Sequence, residues 1–199
     1  MPVFEMPLEK LWEYRGCSPK PADFDVYWTV ALQECEDTGL AYTMLPASFQ
    51  VQGVECYDLW FTGVRGARIH CKFLKPSEIN GKIPGIAAFH GYMHHSGEWF
   101  ERLPFALMGK AVIVMECRGQ GGLSEDVYTG IGPTTFGNVV RGIRDEDPHK
   151  LYYRDVFLDA VKTVRILMSM DFVDERRIAT TGKSQGERWR WRLQHWCPR

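Results

Sequence analysis

Two short apolar runs constrain this chain most. Ile83 to Phe89 and Ala111 to Glu116 are almost continuously hydrophobic, and a strand with that pattern must be covered on both faces, as parallel strands between helices are. Helical spacing lies between and after them. Trp99 to Met108 has one such pattern. Asp147-Pro148 gives a helix start, an N-cap oxygen followed by a pre-set φ, with Tyr152, Val156, Ala160, Val164 and Leu167 along one face behind it. A short strand is expected at Arg177–Thr181. Upstream, residues 54–62 and 67–75 read as an antiparallel hairpin, with Ile69, Cys71 and Phe73 alternating and Gly63 and Gly66 at the turn. Earlier still, Phe24, Tyr27, Trp28, Ala31, Leu32 and Cys35 recur at three- and four-residue spacing, so residues 21–38 form an amphipathic helix that Gly39 ends. The class is therefore α/β: an N-terminal hairpin, then a mostly parallel sheet flanked by helices.

Composition decides what this frame can be used for. The 199 residues are 45% hydrophobic and 25% charged, which suits one globular domain, and a formal charge of −1 provides no field to gather nucleic acid or anionic lipid. The opening MPVFEMPLEKLWEYRG interrupts its apolar residues with charges, and no run approaches the ~20 apolar residues of a membrane span. A cytoplasmic protein with no membrane and no nucleic-acid partner is the expectation. Six scattered cysteines without a CxxC pair fit reduced, mostly buried thiols.

The sharpest chemical signal is Gly182-Lys183-Ser184-Gln185-Gly186, placed directly behind the expected strand Arg177–Thr181. In this G-x-S-x-G pattern a serine sits at a strained strand-to-helix turn, where the backbone N–H of the next residue, Gln185, can hold a negative oxygen. His90-Gly91-Tyr92 follows the buried strand 83–89, at the place where a second such N–H is supplied, which makes Tyr92 the candidate donor. His90 itself reads as a loop-shaping histidine satisfied by backbone groups. With His94 and His95 it lacks the acidic or thiol partners of a metal site, so no metal and no cofactor are expected. Arg118-Gly119-Gln120-Gly121-Gly122 is glycine-rich, yet it carries neither G-x-G-x-x-G nor a phosphate-binding lysine and reads as a turn near the mouth of the site. Residues 119–147 are a long polar excursion of the kind that is functional or disordered.

In this order and spacing, Phe89-His90-Gly91-Tyr92, Arg118-Gly119-Gln120-Gly121-Gly122 and Gly182-Lys183-Ser184-Gln185-Gly186 resemble the acetyl xylan esterase and cephalosporin C deacetylase family of carbohydrate esterases. Met6-Pro7-Leu8-Glu9-Lys10-Leu11 and Pro21-Ala22-Asp23-Phe24-Asp25 are similar to that family's N-terminal arm. The resemblance implies an α/β-hydrolase fold and serine-dependent removal of acetyl groups from small carbohydrates and cephalosporin-type acetates, often in a homohexamer. Ser184 would be the nucleophile, and Tyr92 and Gln185 the oxyanion donors. Lys183 and Glu187 depart from the family's elbow, and ERWRWRLQHWCPR from residue 187 onward no longer resembles it. The expectation is an incomplete hydrolase domain over 1–186, its arm at about 1–40 and its C-terminal strands missing, followed by a basic aromatic tail over 187–199. A serine hydroxyl needs a histidine and an acid, which in this fold follow it in sequence. Continued as helix, the tail would carry His195 roughly 16 Å along the axis from Ser184. The esterase is therefore expected to be impaired, with a non-catalytic binding or oligomer-modulating module as the alternative.

Overall fold

The computed structural model describes residues 6–127 and 141–197. A short helix α1 (Leu8–Glu13) leads into α2 (Phe24–Asp37), and strands β1 (Tyr42–Pro46), β2 (Val54–Thr62) and β3 (Arg68–Pro76) follow. Next come β4 (Ile83–Phe89), α3 (Leu103–Leu107), β5 (Ala111–Met115), α4 (Tyr152–Ser169), β6 (Val173–Gly182) and α5 (Gln185–Trp196). Among the described residues six strands form one sheet, in the order β1-β2-β3-β5-β4-β6. Its hairpin side is antiparallel, up to the β3–β5 pair, and only β5, β4 and β6 run parallel. No helix among the described residues is long and apolar enough to cross a membrane.

The continuous apolar runs are explained by cover on both sides. Ala87, Phe89, Ile113 and Met115 point into the main core with α2, α4 and α5, while Ile86, Ala88, Val112 and Val114 form a second layer on the opposite face. Helix α4 lies between the sheet and α2 and is buried on two sides, its stripe Tyr152, Val156, Ala160, Val164 and Leu167 included. Its charged residues must therefore find partners inside. Arg154 meets Glu34 of α2 at 2.6 Å, and the Lys162 ammonium donates to Thr38 Oγ1 (2.6 Å) and the Thr62 carbonyl (2.7 Å).

Several elements differ from the reading of the residues. The 99–108 pattern divides into a 3₁₀ turn, Trp99–Glu101, and the five-residue α3 with Pro104 in its first turn. Asp147 does cap, but its carboxylate accepts from His149 N–H in a 3₁₀ turn at Pro148–Lys150, and α4 starts afresh at Tyr152. β6 starts four residues earlier than expected, with a register irregularity against β4 between Ile83 and Gly85. Of the 119–147 excursion, residues 128–140 lie outside the described residues. The tail continues α5, with Trp189 and Leu193 in the core and the Trp196 ring 4.5 Å from that of Trp28 and 6.0 Å from that of Phe157. That i, i+4, i+7 stripe is the apolar face of a helix.

Candidate active site

β4 and β6 end in register, Phe89 opposite Gly182, and Lys183 N–H donates to the Phe89 carbonyl at 3.2 Å. The chain then turns sharply. Ser184 takes φ +53° and ψ −110° at the N-cap of α5, a conformation that costs a non-glycine residue of order 1–3 kcal/mol and persists only where its surroundings impose it. Hydrogen bonds from Gly186 N–H to Lys183 O (3.0 Å) and from Glu187 N–H to Ser184 O (3.1 Å) start the helix. Both flanking glycines are required by space. A Cβ on Gly182 would sit 2.4 Å from the Gly186 backbone, and one on Gly186 would sit 2.4 Å from the Phe89 carbonyl oxygen. Ser184 is solvent-exposed at the tip of this turn.

The loop after β4 abuts the elbow. A Cβ placed on Gly91 would lie 3.5 Å from Lys183 O and 3.8 Å from both Ser184 Cβ and His94 Cδ2, so the peptide leading into Tyr92 lies beside the serine. Gln185 N–H opens α5, where helix geometry leaves the first amides without carbonyl partners. His90 holds this loop. Its Nε2 accepts from Cys117 N–H at 2.9 Å and its Nδ1 lies 2.6 Å from Gly91 O, which fixes a neutral tautomer, and burial lowers its pKa further. A cavity of about 500 Å³ opens next to the elbow, lined among others by His90, Gly91, His94, His95, Gly182 and Lys183. Among the described residues, no three His, Cys, Asp or Glu side chains gather as metal ligands.

The glycine-rich loop after β5 seats loops on one another. A Cβ on Gly121 would be 2.6 Å from Met93 O, and one on Gly122 would be 2.2 Å from Glu116 Oε2. Three side chains that the reading of the sequence left without a role organise this region. The Arg118 guanidinium is buried and bidentate to Asp159, Nε to Oδ2 and Nη2 to Oδ1 both at 2.7 Å. Gln120 reaches toward the elbow. Glu116 is buried and accepts from Ser96 Oγ (2.6 Å) and Leu123 N–H (2.6 Å), with His70 Nδ1 2.8 Å away. His70 Nε2 meets Asp58 Oδ1 at 2.9 Å, so this imidazole stands between two carboxylates. The signal available for all three was position, since loops leaving the carboxyl ends of adjacent parallel strands converge on one crevice.

The His70–Glu116 pair makes stability depend on pH. Burial alone would raise the Glu116 pKa, but His70, Ser96 and Leu123 N–H overcome it and bring it down from 4.5 to about 2. Burial likewise opposes charge on His70, and Glu116 and Asp58 outweigh it, raising the pKa above 6.5. A lowered carboxylate stabilises the fold above its unfolded value and loses that contribution as pH falls through its folded one. A raised imidazole does the reverse, contributing fully below 6.5 and losing its share as pH rises. Urea unfolding at pH 3, 5.5 and 8.5 is expected to show the greatest stability at 5.5. Glu116→Gln should cost about 2 kcal/mol there and flatten the acid limb. An unchanged acid limb in that variant would remove the pair as its cause.

The acetyl xylan esterase (AXE1) family model matches residues 1–188. The chain belongs to the acetyl xylan esterase family. It is 44% identical to acetyl xylan esterase 1 from Thermoanaerobacterium sp. JW/SL YS485, with a TM-score of 0.93 over 98% of this chain and 61% of that one. It is 29% identical to the acetyl xylan esterase from Paenibacillus sp. R4, with a TM-score of 0.87 over 96% of this chain and 61% of that one. A dienelactone hydrolase-like phosphotriesterase from metagenomic libraries, 15% identical with a TM-score of 0.52, covers 71% of this chain and 54% of its own, and shares the fold alone. The chain thus spans about three fifths of the length of the acetyl xylan esterases it matches, and its own architecture is the corresponding part of an α/β-hydrolase.

Proposed function

We propose that this chain carries the nucleophile half of an esterase that cleaves acetyl esters of carbohydrates, with Ser184 as nucleophile and the backbone N–H groups of Tyr92 and Gln185 as oxyanion donors. The observation that carries the reading is the left-handed serine between two sterically obligatory glycines, at the C-terminal end of the parallel strands. In the reaction the Ser184 hydroxyl adds to the acetyl carbonyl and gives its proton to a base, which returns it to the sugar oxygen as the acyl C–O bond breaks, and the sugar alcohol departs. Water hydrolyses the acetyl-enzyme and restores the hydroxyl. Negative charge on the carbonyl oxygen is held by the two amides and by the N-terminus of α5. Small acetylated xylo-oligosaccharides and cephalosporin-type acetates, a homohexameric assembly and a cytoplasmic location belong to the same proposal.

We also propose that the 199-residue chain by itself turns over slowly. α5 runs unbroken to Trp196, so His195 lies eleven residues along the helix from Ser184, roughly 16 Å at 1.5 Å per residue, beyond the reach of a general base. With 4-nitrophenyl acetate, hydrolysis is expected to be ~10³-fold or more slower than by the longer relatives. Added imidazole should accelerate it in wild type and not in Ser184→Ala, once the reaction of imidazole alone is subtracted. Equal acetylation of wild type and Ser184→Ala, read by mass spectrometry, would remove the nucleophile assignment. Turnover matching that of the longer relatives would remove the proposed impairment.

A further inference from the structure

The two amides assigned to the oxyanion belong to different loops, one after β4 and one after β6, which are joined at their base by Lys183 N–H to the Phe89 carbonyl. The loop after β5 adds a second tie, beyond the strand ends. Gln120 Oε1 accepts from Met93 N–H at 3.0 Å, which anchors the β4 loop one residue beyond Tyr92. The same side chain pairs with Gln185 in a reciprocal amide ring, Nε2 to Oε1 and Oε1 to Nε2, both at 3.0 Å. Gln185 Oε1 also accepts from the Tyr153 hydroxyl of α4 at 2.6 Å, so the far side of the ring rests on a core helix. Gln185 is buried and Gln120 half-buried.

The pattern of donors and acceptors needs an amide at position 120. A carboxylate there keeps an acceptor for Met93 but faces Gln185 Oε1 with a second acceptor. An aliphatic residue leaves Met93 N–H and both polar ends of Gln185 without these partners, and asparagine is one methylene short of spanning the gap. Met93 is itself held at φ +57°, a conformation that needs an external partner to persist in a non-glycine residue. We propose that Gln120 is a positioning residue, tying the β4 loop to the first residue of α5 so that Tyr92 N–H and Gln185 N–H aim at one point. This rests on the reading of Ser184, Tyr92 and Gln185 given above and adds the residue that sets their geometry.

The test compares wild type, Gln120→Ala, Gln120→Glu and Ser184→Ala in the full chain, by amide hydrogen exchange resolved by NMR and by the rate of acetylation by 4-nitrophenyl acetate. In Gln120→Ala, exchange at Met93 should rise roughly tenfold while amides in β4 and β5 keep their protection. Acetylation at saturating ester should fall roughly ten- to hundredfold with an unchanged half-saturating concentration, because small misplacements of aligned groups act on the barrier rather than on binding. Gln120→Glu should keep Met93 protected and still lose the acetylation rate, a split that simple loosening of the loop would not give. Four results overturn the proposal. Serine-dependent acetylation at the wild-type rate in Gln120→Glu overturns it and leaves the nucleophile standing. Met93 exchange that is identical in wild type and Gln120→Ala overturns it whatever the acetylation rates. Loss of protection across β4 and β5 in both variants would make Gln120 a support of the fold rather than of the site. Wild-type acetylation in Ser184→Ala overturns the nucleophile reading and this one with it.

Discussion

Alanine in place of Arg118 is expected to lower stability by about 3–5 kcal/mol, read as a fall in the urea midpoint with little change in slope. The guanidinium is 1% exposed, bidentate to Asp159, 3.3 Å from Asp155 Oδ2 and 3.1 Å from the Val64 carbonyl. Its removal leaves the buried Asp159 without its bidentate partner and takes one of three arginines from the equally buried Asp155, with Arg65 and Arg154 remaining at 3.4 and 3.7 Å. The pair also fills its space completely, since a Cβ on Gly63 would lie 2.1 Å from Asp159 Oδ1 and 2.9 Å from Arg118 Nη2.

The pH dependence of that loss has a definite sign. Burial raises the pKa of Asp159 and pushes that of Asp155 up to about 6 from 3.8, even with Arg118 beside them. Carboxylates raised in the folded state oppose folding when ionised, so their cost is absent below about 4 and grows as pH rises toward the folded value. Without Arg118 both values climb further and the cost extends to higher pH. Arg118→Ala should therefore destabilise more at pH 8 than at pH 5. Replacing the pair by apolar residues, Arg118→Met with Asp159→Leu, should recover part of the loss, because the penalty comes from the charge left behind. A loss that is the same at both pH values would show that it comes from packing alone.

What could be read from the residues follows how local each determinant is. The elbow was legible because its strain, its two glycines and its helix start all lie within five consecutive positions. The buried strands were legible because cover on both faces leaves an unbroken apolar run. β1 was not, because Tyr42–Pro46 is a half-exposed edge strand ending in proline, with no run and no clean alternation. The start of α4 was displaced because Asp147-Pro148 satisfies the rules for a helix start equally well in one isolated turn. The Gln120–Gln185 ring joins positions 65 apart and the His70–Glu116 pair positions 46 apart, and no pattern along the chain marks such partners. In residues 187–197 the arginines drew attention to charge, whereas the spacing of Trp189, Leu193 and Trp196 was the part that decided the fold.

The glycines of the elbow give the other large effect, and here two tendencies of opposite sign compete. Gly186 lies in the first turn of α5, where alanine is ordinarily better than glycine by about 1 kcal/mol, and its φ is not left-handed, so the backbone itself raises no objection. Against this, the new Cβ would stand 2.4 Å from Phe89 O and 2.8 Å from Phe89 C. Phe89 cannot withdraw, because its strand is paired on both sides, to β5 and to β6. A contact of methyl against fixed backbone belongs at the upper end of overpacking penalties, about 3 kcal/mol or more, so the steric term wins and Gly186→Ala should be strongly destabilised. Gly91→Ala is the control within the same site. Its nearest neighbours would be at 3.5 and 3.8 Å, ordinary contact distances, and its stability should stay within about 1 kcal/mol of wild type. Urea midpoints of the two variants measured side by side separate the cases. If Gly186→Ala unfolded at the wild-type midpoint, α5 would not be seated against Phe89, and with that seat would go the constraint that holds Ser184 in its left-handed turn.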